Sequence, residues 1–210
     1  MSELAMSELA MSELAMSELA MLCAMEVERA AAPTGVPLVV SGPGFGRARR
    51  AAEELAAQSP GMILNFGTCG ALRPEYALGQ VFSAQLPSLP YLAWPGLPQA
   101  RLISQDRVAV TKEEKAALAR AGGDLVDMEA QAVAEVCAAR GIRFVAVKAV
   151  SDLADEDLPL DFNRFRRADG GFENWRIALA GLGRMGDLLR LKRQTELAVA
   201  RLGEVLRNAN

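Results

Sequence analysis

Between Leu125 and Asp152 the chain reads LVDMEAQAVAEVCAARGIRFVAVKAVSD. Leu125–Arg140 is built from helix-forming residues, and Gly141 stands where a left-handed helix cap belongs. Phe144–Val150 then runs apolar without alternation, the pattern of a strand covered on both faces, and Ser151-Asp152 breaks the run. Helix, glycine cap, buried strand and polar strand end form the repeating unit of a largely parallel α/β sheet.

The same unit recurs toward the N-terminus. Leu19–Met25 reads as a first buried strand and Val36–Ser41 as a second, followed by Gly42-Pro43-Gly44 and a predicted helix over Arg47–Ala57. Met62–Phe66 is a further strand, with Gly67-Thr68-Cys69-Gly70 read as the turn after it. Asn174–Asn210 is helical in pattern, with a glycine-containing break over Gly181–Gly186. The first twenty residues are MSELA written four times, a period that gives no apolar stripe at helical pitch. The segment also lacks the basic and apolar regions of a secretory signal. The expectation is a tail over 1–18 outside the fold and one domain over 19–210.

Composition narrows the chemistry. Lys and Arg number 23 against 26 Asp and Glu, so no basic field points to nucleic acid or anionic lipid. Cys23, Cys69 and Cys137 are too few and scattered for a disulfide framework, which fits a reducing, cytoplasmic setting. Histidine is absent, so Ser-His-Asp and Cys-His catalysis and His-ligated metal sites are excluded. Acid–base work falls to Asp, Glu, Lys, Tyr or Cys. No apolar run reaches transmembrane length.

Between Gln85 and Pro98 stand Pro87, Pro90, Pro95 and Pro98, with Tyr91 and Trp94 among them. Prolines at this density make a loop. Its aromatics belong either to a pocket lid or subunit contact, or to a surface connection packed on the core.

Ligands in open α/β sheets sit beyond the carboxyl ends of strands. Those ends carry Met25-Glu26-Val27-Glu28, Ser41-Gly42-Pro43-Gly44, Gly67-Thr68-Cys69-Gly70 and Ser151-Asp152, while Asp127-Met128-Glu129 opens a helix. Carboxylates around a glycine-lined cleft suit a reaction that develops positive charge, such as glycosidic cleavage through an oxocarbenium-like state. Each piece has a plainer explanation. Asp127 and Glu129 complement a helix N-terminus, Ser151-Asp152 can be a cap, one of Glu26 and Glu28 is solvated, and the cysteines are packed thiols.

Order and wording carry more than the separate pieces. Ala24-Met-Glu-Val-Glu28, Ser41-Gly-Pro-Gly44 with Ala48, Asn65-Phe-Gly-Thr-Cys-Gly-Ala-Leu72, Val126-Asp-Met-Glu-Ala130 and Ala149-Val-Ser-Asp-Leu-Ala-Asp155 resemble the nucleoside phosphorylase/nucleosidase superfamily. The likeness is greatest to the methylthioadenosine/S-adenosylhomocysteine nucleosidases and spans about Met21 to Phe165. It implies a three-layer α/β fold around a mixed, mostly parallel, partly closed sheet, assembled as a homodimer or larger oligomer. It further implies that Asp152, beside Ser151, is the general acid toward purine N7. Glu129 and Met128 would meet the ribose, Glu28 would orient the attacking water, and Thr68, Gly70 and Met25 would line the substrate. To donate a proton, Asp152 needs burial to favour its protonated form.

Water or phosphate as nucleophile is decided by the anion site. Phosphorylases of this superfamily carry an arginine where this chain has Asn65, which favours hydrolysis. Gly44 with Arg47, or Arg49, could instead bind an anion at a helix N-terminus, and the Gly-Thr-Cys-Gly wording resembles the phosphorylases. The chain is short between Gly79 and Asp106, and without histidine an apolar 5′ substituent is favoured. Val108–Leu118 resembles the hopanoid-associated phosphorylases, which act on adenosylhopane. The expectation is an N-ribosyl hydrolase for a 5′-modified adenine nucleoside with no cofactor. The alternatives are a phosphorylase with phosphate as co-substrate and a nucleoside-binding protein that has lost catalysis.

Overall fold

The computed structural model describes residues 18–167, 171–173 and 180–208. The MSELA tail before Glu18, and residues 174–179 and 209–210 of the expected C-terminal helix, lie outside the described residues. Seven strands form one sheet: β1 (Leu19–Cys23), β2 (Leu38–Val40), β3 (Met62–Ala71), β4 (Val81–Gln85), β5 (Gln99–Ser104), β6 (Leu125–Asp127) and β7 (Arg143–Asp152). Among the described residues four α-helices accompany them: α1 (Phe45–Ala56), α2 (Lys112–Arg120), α3 (Ala130–Arg140) and α4 (Met185–Arg207).

Strand alternation sorts the core into two layers. Ala20 and Leu22 of β1, with Ile63 of β3 and Phe144 and Ala146 of β7, face Ala48, Ala52 and Leu55 of α1 and Val133 and Cys137 of α3. Leu19, Met21 and Cys23, with Leu64, Phe66, Val145 and Val147, face Ala198, Val199, Leu202 and Leu206 of α4. The result is helix, sheet, helix, as the resemblance implied.

Five strand pairs are parallel (β1–β2, β1–β3, β3–β7, β4–β5, β5–β6) and two antiparallel (β3–β6, β4–β7). Pairing β3–β7–β4–β5–β6 and back to β3 closes a ring, with β1 and β2 extending from it. Closure depends on β3, whose N-terminal half lies between β1 and β7 and whose last residues, Gly70 and Ala71, pair with β6.

Several local expectations are corrected. Gly67-Thr68-Cys69-Gly70 is strand, because β3 continues along β7 with a register shift at Cys69/Gly70. Ser151 and Asp152 likewise belong to β7. Leu125–Asp127 is a strand between β3 and β5, so the helix starts only at Ala130. Its start is fixed by Asp127, whose Oδ2 accepts the Ala130 amide at 3.1 Å. Gly141 caps that helix at φ 67°, as expected. The connection from Leu86 to Pro98 is irregular apart from Leu92, which bridges to Val145. Tyr91 packs on the first core layer and Trp94 on the second, with the Trp94 amide donating to Ser83 Oγ at 2.8 Å. Both aromatics of this loop are thus partly buried against the core.

Candidate active site

The ends of β1, β3, β6 and β7 bring four buried carboxylates together: Glu28, Asp127, Glu129 and Asp152. Glu28 leaves β1 on a 3₁₀ turn, Glu26–Ala31, and folds back over the chain. Its Oε2 accepts the amides of Ala24 at 3.0 Å and Met25 at 2.8 Å. Its Oε1 accepts both the amide and the hydroxyl of Thr68, at 2.8 and 3.0 Å. A Cβ on Gly67 would stand 2.9 Å from Glu28 Oε1, and one on Gly70 would stand 2.9 Å from Asp152 Oδ1. These glycines serve to admit two carboxylates against β3, not to turn the chain. Glu26, by contrast, is exposed and pairs with Arg29 at 2.7 Å.

Glu129 precedes α3, and its Oε1 accepts the Gly44 amide at 2.9 Å, while Oε2 accepts the Met128 amide at 3.3 Å. Burial, reinforced by the Asp127 carboxylate, pushes Glu129 up to about 8. Beneath it Lys148, in the middle of β7, reaches Asp127 Oδ2 and Asn65 Oδ1, each at 2.8 Å. Burial opposes the Lys148 charge, but the Asp127 and Glu129 carboxylates outweigh it and hold this group above its ordinary range. Asn65 Nδ2 in turn donates to Leu22 O at 3.2 Å, tying the network to β1.

Asp152 lies opposite Gly70 across the β3–β7 register shift. Its Oδ2 accepts the Ser151 hydroxyl at 3.1 Å, and its Oδ1 meets the Lys115 ammonium at 2.5 Å. The sequence reading had burial as the surroundings of this carboxylate and did not anticipate the cation from α2 in contact with it. Lys115 and Lys148 were both missed in the sequence. Lys148 carried a signal, a charge inside the apolar run FVAVKAV, whereas Lys115 sits in KEEKAAL and reads as solvated helix.

The expected anion site is already engaged. Gly44 N donates to Glu129, and Phe45 N donates to Asp106 Oδ1 at 2.9 Å, where Arg166 Nη2 also binds at 2.7 Å. Arg49 pairs with Glu135 of α3. Arg47 curls over Gly42, where a Cβ would stand 2.6 Å from its Nη1. Burial pushes the Cys23 and Cys137 thiols up to about 12 and the Cys69 thiol well above its ordinary range, which makes all three poor nucleophiles.

Buried carboxyl groups outnumber the two buried ammonium groups four to two, an arrangement suited to a cationic transition state once Glu129 is ionised. Residues 102–171 match the phosphorylase superfamily model. A 5'-methylthioadenosine/S-adenosylhomocysteine nucleosidase of Mycobacterium tuberculosis is 50% identical over 44 residues, which is 21% of this chain and only 17% of that relative's length. The enzyme of that name from Neisseria meningitidis, solved with methylthio-immucillin-A, superposes with a TM-score of 0.65 at 19% identity, covering 91% of this chain and 97% of that one. Futalosine hydrolase of Helicobacter pylori superposes with a TM-score of 0.64 at 15% identity, covering 91% and 96%. The resemblance read from the motifs is borne out by these matches: the chain shares the fold of the methylthioadenosine/S-adenosylhomocysteine nucleosidases and carries the phosphorylase superfamily signature over residues 102–171.

Proposed function

We propose that the protein hydrolyses the N-ribosyl bond of a 5′-modified adenine nucleoside. The observation that carries the choice of water is Glu28. Its carboxylate takes both the amide and the hydroxyl of Thr68, the donors an attacking phosphate would need. A dianion brought to this point would meet a buried negative charge and lose those donors. A water molecule would instead find an acceptor in Glu28.

In this reading Glu129 accepts hydrogen bonds from the ribose hydroxyls and stabilises the oxocarbenium-like state, with Met128 and Met25 against the substrate. Thr68 and Gly70 form the wall of the cleft along β3, and Ser151 orients Asp152, which serves N7 of the departing adenine. The chemistry asks for no cofactor. The relatives' names cover methylthioadenosine, S-adenosylhomocysteine and futalosine, so the 5′ group is the variable part, and the absence of histidine favours an apolar one. Three free buried cysteines fit a reducing cytoplasm. Exposed Val27, Met185, Leu189 and Leu197 fit burial in a homo-oligomer.

Phosphorolysis is the second reading, favoured by Arg47 over the Gly42 turn and by the Gly-Thr-Cys-Gly wording. Incubation with methylthioadenosine, with and without phosphate, separates the two. Adenine release independent of phosphate is expected. Strict phosphate dependence overturns hydrolysis, and tight nucleoside binding without adenine release reduces the protein to a binding module.

A further inference from the structure

The fate of the leaving-group proton turns on Lys115. This is the single buried residue of α2, with 0% of its surface exposed, on a helix that otherwise rests only Leu118 and Ala119 against the cluster of Leu72, Ala109 and Val126. Its Nζ contacts Asp152 Oδ1 at 2.5 Å, Leu153 O at 2.6 Å and Glu156 O at 3.1 Å. An ammonium has three N–H donors and no acceptor, so these partners satisfy it completely. The two carbonyls can keep two of those hydrogens. Only the third is aimed at a group able to take a proton onward.

A lysine buried this deeply is costly unless it is paired, and a purely structural tie between α2 and the end of β7 needs only the two carbonyls. Asp152 has its own second partner in Ser151, and Gly70 leaves room for its approach to β3. Resting on the nucleosidase reading above, we infer that Lys115 is a positioning residue for leaving-group departure, acting through Asp152: it holds the carboxylate in place and supplies the proton that Asp152 passes to the adenine.

Water adds to C1′ while the C1′–N9 bond breaks and its electron pair passes to the adenine ring. In one relay Lys115 passes a proton across the 2.5 Å contact to the Asp152 carboxylate, and Asp152 passes it to N7. Asp152 ends as a carboxylate and Lys115 as a neutral amine whose two remaining hydrogens stay on Leu153 O and Glu156 O. The attacking water gives up one proton by way of Glu28 to solvent, and solvent returns one to Lys115 after product release.

The test uses two substrates that differ only in the leaving group: methylthioadenosine, and a 4-nitrophenyl 5-methylthioriboside whose phenolate departs without protonation. Lys115→Met removes charge and proton, and Lys115→Arg keeps the charge but cannot surrender a proton. For both variants adenine release should fall on the order of 10²-fold or more in kcat, the worth of general acid catalysis. KM and nitrophenolate release should change only a few-fold on the same reasoning. If Lys115→Met does not fold, Lys115→Arg decides alone. Equal losses on both substrates, or adenine release at the wild-type rate in Lys115→Arg, overturn the inference and leave Lys115 a structural tie. Strict phosphate dependence of the wild type would overturn hydrolysis while leaving the Lys115 comparison intact. A wild-type chain that releases neither leaving group overturns both.

Discussion

Two buried lysines flank the candidate site, and they are used differently. Lys148 rises from the centre of the sheet and spends its hydrogen bonds on Asp127 and Asn65, neither of which is assigned a substrate contact in the proposed function. Lys115 arrives from a peripheral helix and contacts Asp152, the group assigned to the leaving base. The sheet-centred lysine makes a cluster of buried carboxylates tolerable, while the helix-borne one attaches to the carboxylate proposed to serve the leaving base. Removing the first should cost stability, and removing the second should cost chemistry.

The largest expected effect breaks the Lys148 side at its root. Deleting residues 1–22 removes most of β1 and the Leu22 carbonyl that anchors Asn65. That variant should fail to fold cooperatively in a thermal scan. Lys148→Met keeps β1 but leaves Asp127 buried without its cation, which should cost about 3–5 kcal/mol in urea denaturation. A loss confined to turnover there would erase the contrast between the lysines.

Asp152→Asn acts on the other side. It keeps the shape and removes the proton carrier, so turnover should fall on the order of 10²-fold or more. Glu129→Gln should weaken kcat/KM by about tenfold or more, the worth of hydrogen bonds to a charged group. The pH behaviour sharpens this. Glu129 is raised from 4.5 to about 8 in the folded chain, so the fold binds its proton more tightly than the unfolded chain does. Its stabilising contribution is full below 4.5 and is lost as pH rises through about 8. In the same window kcat/KM should climb with pH as Glu129 ionises. Both slopes should vanish in Glu129→Gln, as read from urea midpoints and initial rates across that range. The smallest effect is expected from deleting residues 1–15, which precede β1: folding and adenine release should match the full chain.

These two sides were not equally legible in the sequence. Apolar continuity was enough to place the buried strands β1, β3 and β7, and Gly141 was enough to end α3. Family wording singled out Glu28, Glu129 and Asp152. Strand ends were misplaced where tertiary pairing overrides local pattern: Gly67 to Gly70 look like a turn until β7 is laid beside them, and Leu125–Asp127 follow the helical run behind them until β3 and β5 claim them. Lys115 was invisible because a lysine three residues after Lys112, among glutamates, has the composition of a solvated face. Its burial is decided by Leu153 and Glu156, about forty residues away in sequence and therefore beyond any local pattern.

The claim at the centre is that Glu28 reserves the Thr68 donors and leaves water as the nucleophile. Phosphorus NMR of a complete reaction of methylthioadenosine in phosphate buffer tests it most directly. The account predicts free adenine, a reducing sugar and inorganic phosphate as the only phosphorus resonance. A sugar 1-phosphate resonance growing in step with adenine would contradict it.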